Sequence, residues 1–91
     1  MSQERTPQEV EQLRRHVQDL LDLYVRQTGL DFSLKVSNDY MQQEEWLFLV
    51  VEPEPLGVHA YDYAKALTDV GTKLRREEHV EGVMLVPALA A

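Results

Sequence analysis

The chain has 91 residues, 44% hydrophobic and 27% charged, with 16 acidic against 9 basic side chains and a net charge of −7 at pH 7. A chain of this length builds one thin core, burying about 60–65% of its unfolded surface, so association with a second surface would be an economical source of further burial. The absence of cysteine excludes disulfides, thiolate nucleophiles and zinc–thiolate sites, and the acidic balance argues against a binder of phosphate backbones, which depends on clustered lysine and arginine.

The first eight residues, MSQERTPQ, contain no apolar stretch that would serve as a signal peptide, and no run approaches the ~18 apolar residues of a membrane span. A cytoplasmic protein is expected. The acidity is local: residues 1–29 carry five acids and four bases, residues 30–56 six and one, and residues 57–91 five and four.

Thr6-Pro7-Gln8-Glu9 reads as a capping box with proline at the first helical position. Val10, Leu13, Val17, Leu20, Leu21, Tyr24 and Val25 then recur at three- and four-residue steps, and Gly29 supplies a left-handed stop. This predicts one amphipathic helix of about six turns. The stripe fits a helix lying on a sheet; two heptads at Val10, Leu13, Val17, Leu20 and Tyr24 are too few to establish a coiled coil. Leu23 and His16 lie off the stripe, where they could touch a second surface.

Leu30, Phe32, Leu34 and Val36 alternate with Asp31, Ser33, Lys35 and Ser37, the pattern of a strand with one buried and one wet face. Asn38-Asp39 and residues 42–45 read as a polar turn, giving a hairpin with a loop longer than the tightest. Residues 46–51, Trp-Leu-Phe-Leu-Val-Val, are apolar on both faces, which predicts a central strand. Pro53 and Pro55 are expected to end its ladder, since neither donates an amide, and Gly57 to permit a sharp entry to a second helix.

In that helix Ala60, Tyr63, Ala64, Leu67, Val70, Gly71 and Leu74 share one face, while Tyr61, Asp62, Lys65, Asp69, Thr72 and Lys73 share the other. The small residues suggest a close approach to a neighbouring element, which at Gly71 would offset a helix cost of about 1 kcal/mol relative to alanine. After the charged turn 75–78, Val83-Met84-Leu85-Val86 reads as a third strand, apolar on both faces and ended by Pro87.

The reading is therefore a single domain, residues 1–91, with a flexible N-terminus (1–6) and a C-terminal tail (88–91). Its fold class is α+β: a two-layer sandwich in the order α-β-β-α-β, with a three-stranded mixed sheet and two amphipathic helices. Strands two and three offer apolar residues to both faces, so either the helices lie on opposite faces or a second surface covers one of them. A homodimer is expected, through that face or the edge of strand three; the alternative is a monomer whose tail folds over its own sheet. Val83 and Leu85 are its candidate interface residues, because Ala88-Leu89-Ala90-Ala91 and the strand itself lack edge-protecting charge.

Among polar groups, Glu52, Glu54 and His59, with Asp31 at the same end of the sheet, could ligate a divalent cation or exchange protons. Their spacing matches no metal or catalytic motif, and a solvated acidic loop accounts for them. Tyr61 lies on the polar face of the second helix, where a ring is unneeded for the core and could stack in an interface. Lys73, Arg75 and Arg76 form a basic cluster that complements the helix C-terminus and is neutralised by Glu77 and Glu78. With no nucleophile elbow, phosphate-cradling glycine loop or zinc-helix motif, neither catalysis, a cofactor nor a bound metal is expected.

The order helix, strand, strand, helix, strand resembles type II KH-like domains. The end of the chain, Leu74-Arg75-Arg76 followed by Val86-Pro87-Ala88-Leu89, is similar to the ribosome-binding factor A family. That resemblance implies an RNA- or ribosome-associated domain, reading RNA through a basic groove and, in ordinary KH domains, a Gly-x-x-Gly loop. This sequence has neither that loop nor that charge. The expected function is a small acidic protein-interaction module, homodimeric and also recognising another protein; the alternatives are a KH-like RNA-associated domain and a metal or acid/base site in the Glu52–His59 loop.

Overall fold

A computed structural model describes residues 5–54 and 60–88. The predicted glycine entry at Gly57, together with Pro55, His59 and the tail from Leu89, lies outside the described residues. The elements are α1 (Pro7–Thr28), β1 (Ser33–Gln43), β2 (Trp46–Glu54), α2 (Ala60–Arg76) and β3 (Val83–Pro87). They form an α+β fold in which β2 is central, antiparallel to β1 and parallel to β3.

α1 begins as its sequence dictates. The Glu9 amide donates to Thr6 Oγ1 at 3.2 Å and the Thr6 amide to Glu9 Oε1 at 3.2 Å, so two first-turn donors are satisfied reciprocally. At the other end Gly29, at φ 71°, returns its amide to the Val25 carbonyl. Val10, Val17 and Leu21 are buried, with Leu13, Leu20, Tyr24 and Val25 packed around them. The whole stripe is used within the chain's own core.

The hairpin departs from the expected loop. β1 runs on through the polar segment to Gln43, and the connection is only Glu44-Glu45, with Glu44 in the left-handed region at φ 58°. An irregularity between Val36 and Tyr40 absorbs extra residues and lets Tyr40–Gln43 pair with Trp46–Leu49. Polarity points to a loop here because solvent-exposed strand residues have the composition of a turn. Pro53, likewise, does not end the ladder but pairs with Leu34 inside β2. The Ala88 amide donates to the Val51 carbonyl, so Val51 and, two residues on, Pro53 turn their backbone toward the β3 side. β3 has already ended there, and the missing N–H leaves no partner unsatisfied.

Leu34 and Val36 of β1, Leu47, Leu49 and Val51 of β2, and Val83 and Leu85 of β3 are all buried, and their register puts them on one face. They join a single core with Ala66, Leu67, Val70 and Leu74 of α2 and the buried side of α1. Both helices therefore cover the same face. Each fully buried aliphatic side chain in this layer stabilises by roughly 1.5–3 kcal/mol.

Polar contacts fix the layers. Tyr24 of α1 donates to Asp69 Oδ2 of α2 at 2.7 Å, and Lys65 Nζ donates to the same oxygen at 2.7 Å. The hydrogen bond from Lys65, then that from Tyr24, holds the Asp69 carboxyl below its ordinary range; burial first, then the bond to Asp69, pushes the Tyr24 phenol up. His16 Nε2 lies 2.7 Å from Glu78 Oε1, tying α1 to the turn after α2.

Gly82, at φ 75°, is where the backbone comes closest: a Cβ there would lie 2.6 Å from the Glu45 carbonyl oxygen, while the Gly82 carbonyl accepts from the Leu47 amide at 2.7 Å. A Cβ at Gly71 would meet nothing within 4 Å, so the close contact expected there is absent. Ala64 is exposed and Ala66 buried in its place, because α2 overhangs the edge of β3, where no described element stands beside it.

Chemical denaturation should separate the two glycines. Gly71→Ala is expected to stabilise the fold by up to about 1 kcal/mol, and Gly82→Ala to destabilise it by about 2 kcal/mol or more, combining left-handed strain with a backbone clash. Tyr24→Phe should cost about 1 kcal/mol at pH 7. Because the Asp69 carboxyl is lowered in the fold, its contribution is present above the unfolded value near 4 and is lost as pH falls through the folded one. The difference between Tyr24→Phe and the parent should therefore shrink at pH 3.

Candidate interaction surface

With both helices on one side, the alternate side chains of each strand form an open outer face. Met41 pairs with Phe48 and Phe48 with Met84; Val50 pairs with Val86; Trp46 pairs with Gln43. These apolar residues occupy the hairpin half of that face, and Met41 is 60% exposed, Met84 45% and Trp46 44%. The other half is polar, with Lys35 beside Glu52 and Ser33 beside Glu54. A contiguous apolar patch rimmed by polar side chains is the usual mark of a binding surface.

The face continues around β3 into a groove of about 340 Å³, lined on the helix side by Ala64, Thr68, Gly71 and Arg75 and on the sheet side by Trp46 and Met84. Between them lies the outer edge of β3. Hydrogen bonds from Leu47 N to Gly82 O and from Ala88 N to Val51 O fix the alternation of this parallel pair. Met84 and Val86 turn their backbone groups toward β2, and Val83, Leu85 and Pro87 turn theirs outward.

The two sheet edges differ. On β1 the Gln18 side chain accepts from the Val36 amide at 2.8 Å and donates to the Leu34 carbonyl at 2.9 Å, imitating a neighbouring strand. Arg14 Nε donates to the Ser37 carbonyl at 3.1 Å, and Arg5 and Gln42 exchange two hydrogen bonds at 2.9 and 3.0 Å. On β3, among the described residues, no group hydrogen-bonds the Val83 or Leu85 amide. Near its end Tyr63 donates to the Val51 carbonyl and accepts from the Ala88 amide at 2.9 Å. Burial pushes the Tyr63 phenol up, the Ala88 hydrogen bond opposes this, and nearby Glu52 adds to it.

The residues singled out from sequence fall in different places. Tyr61 is 74% exposed in the first turn of α2. Glu54 is exposed at the polar end of the open face, and His59 lies outside the described residues. Val83 and Leu85 are buried against the helices, so their side chains belong to the core and only their backbone reaches the outer edge of β3. Met41, Trp46, Phe48 and Met84 were not singled out, although the two-residue alternation contained them. Among the described residues no three His, Asp or Glu side chains converge as a metal ion would require, and no helix is long and apolar enough to cross a membrane.

No family model, curated protein or solved structure matches this chain.

Charging the two halves of β3 should separate core from surface. Leu85→Asp is expected to unfold the chain, costing about 4 kcal/mol or more through a buried unpaired carboxylate. Met84→Lys should leave stability within about 0.5 kcal/mol of the parent. Circular dichroism melts of the two variants check this.

Proposed function

We propose that this chain is a small acidic protein-interaction module of the cytoplasm, acting by binding rather than catalysis, self-associating and docking another protein on its open sheet face. The observation that carries the reading is the apolar half of that face, formed by Met41, Trp46, Phe48, Val50, Met84 and Val86. A three-stranded sheet covered on one side gains from having this surface removed from water, at roughly 25 cal/mol per Å². The polar half beside it, with Lys35, Glu52 and Glu54, supplies a rim able to select partners by charge. The net charge of −7 favours partners that carry basic groups next to an apolar anchor.

Trp46 is the single tryptophan of the chain and lies within the surface, so it reports occupancy directly. A photo-crosslinking amino acid in place of Met41 is expected to capture a discrete partner in cells, whereas the same group in place of Asp19, exposed on α1, captures none. Adding Trp46→Lys should abolish the capture, and the purified partner should shift Trp46 emission to the blue. Equal capture from both positions, or no emission change on mixing, would remove the open face as the docking surface.

A further inference from the structure

We infer that two copies of this chain pair antiparallel through the free edge of β3, with their α2 helices crossing the seam antiparallel, to make one six-stranded sheet. The inference rests on the self-association proposed above and names its surface.

The edge is the first argument. Val83 and Leu85 point their N–H groups outward, and Pro87, in the same outward set, has none to offer, as is tolerated at an edge. The strand Val83–Pro87 carries no charged side chain, and among the described residues it has none of the side-chain cover that closes β1. An uncharged free edge is a template for another strand. An antiparallel copy suits it: with a two-fold axis at Met84, Val83 of one chain and Leu85 of the other exchange both hydrogen bonds, so four bonds form and every outward donor is used.

The helix is the second. Tyr61, Ala64, Thr68, Gly71 and Arg75 recur at alternating three- and four-residue steps, and the last four line the groove beside β3. Thr68, the midpoint of Ala60–Arg76, lines the same groove as Met84, where the strand axis falls. Carried past Thr68, that axis sets Thr68 beside its twin, Ala64 against Gly71, and Tyr61 against Arg75. A guanidinium over an exposed tyrosine ring is a favourable pair.

Charge separates this arrangement from stacking through the open faces. Arg75 is the charged residue lining the groove, and the twin brings Asp62, in the first turn of its α2, to the same end. The acidic pair Glu52 and Glu54 stays on β2, away from the seam. Face-to-face stacking would instead bring together two faces that each carry Glu52 and Glu54 against the single base Lys35.

Sedimentation velocity over a concentration series, with amide hydrogen exchange, tests the pairing. The expected result is a dimer in which the Val83 and Leu85 amides are protected as well as those of Met84 and Val86. Thr68→Glu, which sets two carboxylates together at the axis, should weaken the dimer at least tenfold and deprotect Val83 and Leu85 while Met84 and Val86 stay protected. Gly71→Leu should remain folded and also lose dimer, and Met41→Lys should retain it. A dimer that survives Thr68→Glu but is lost in Met41→Lys would overturn the edge pairing and leave self-association standing through the open face. A dimer whose Val83 and Leu85 amides exchange freely would equally overturn it. A monomer at the highest soluble concentration would overturn self-association itself, and protection of those amides in that monomer would assign the edge to the chain's own tail.

Discussion

The packing of both helices on one face of the sheet is the constraint from which the rest follows. β2 and β3 are parallel neighbours, so the chain must cross over the sheet between them, and α2 is that crossover. α1 closes the same layer through Tyr24, Asp69 and Lys65. Once both helices lie together, one set of alternating strand residues forms a dry core and the other set meets solvent. On β1 that second set includes Ser33 and Lys35, which suits exposure. On β2 and β3 it includes Trp46, Phe48, Val50, Met84 and Val86, which does not.

The edges repeat this asymmetry in backbone groups. Gln18 and Arg14 occupy the outer side of β1 with side-chain hydrogen bonds to its backbone. Each is a long-range contact in sequence, so closing that edge is built into how α1 docks. At β3 the helix above contributes Ala64, Thr68, Gly71 and Arg75, none of which hydrogen-bonds the Val83 or Leu85 amide. Among the described residues, then, one edge is closed by side chains and the other is uncharged and without such cover.

Much of this was legible in the sequence. The Thr6 capping box, the α1 stripe, the two-sided apolarity of β2 and β3 and the element order all reflect local rules, and local rules survive into the fold. What was not legible turned on choices between equivalent options. In Val83-Met84-Leu85-Val86 every residue is apolar, so nothing local decides which parity faces the helices; the decision comes from the register with Leu47 and Leu49. Asn38, Asp39, Gln42 and Gln43 read as turn residues because exposed strand and loop share a composition, and only pairing across the bulge tells them apart. The rotation of α2, which exchanges Ala64 for Ala66 in the core, depends on where the sheet ends.

Gly71 and Gly82 make the same point about function. Close approach was expected at Gly71 and is found instead at Gly82: its left-handed backbone against the Glu45 carbonyl is demanded by the fold, so its presence carries no information beyond the fold. Gly71 sits mid-helix at a cost of about 1 kcal/mol, with open space where a Cβ would go, and no contact among the described residues offsets that cost. Departures from local preference are expected at functional or strained sites. Gly71 lies on the stripe beside the β3 edge, which no described residue covers, and the groove it lines joins α2, that edge and the Trp46–Met84 side of the open face.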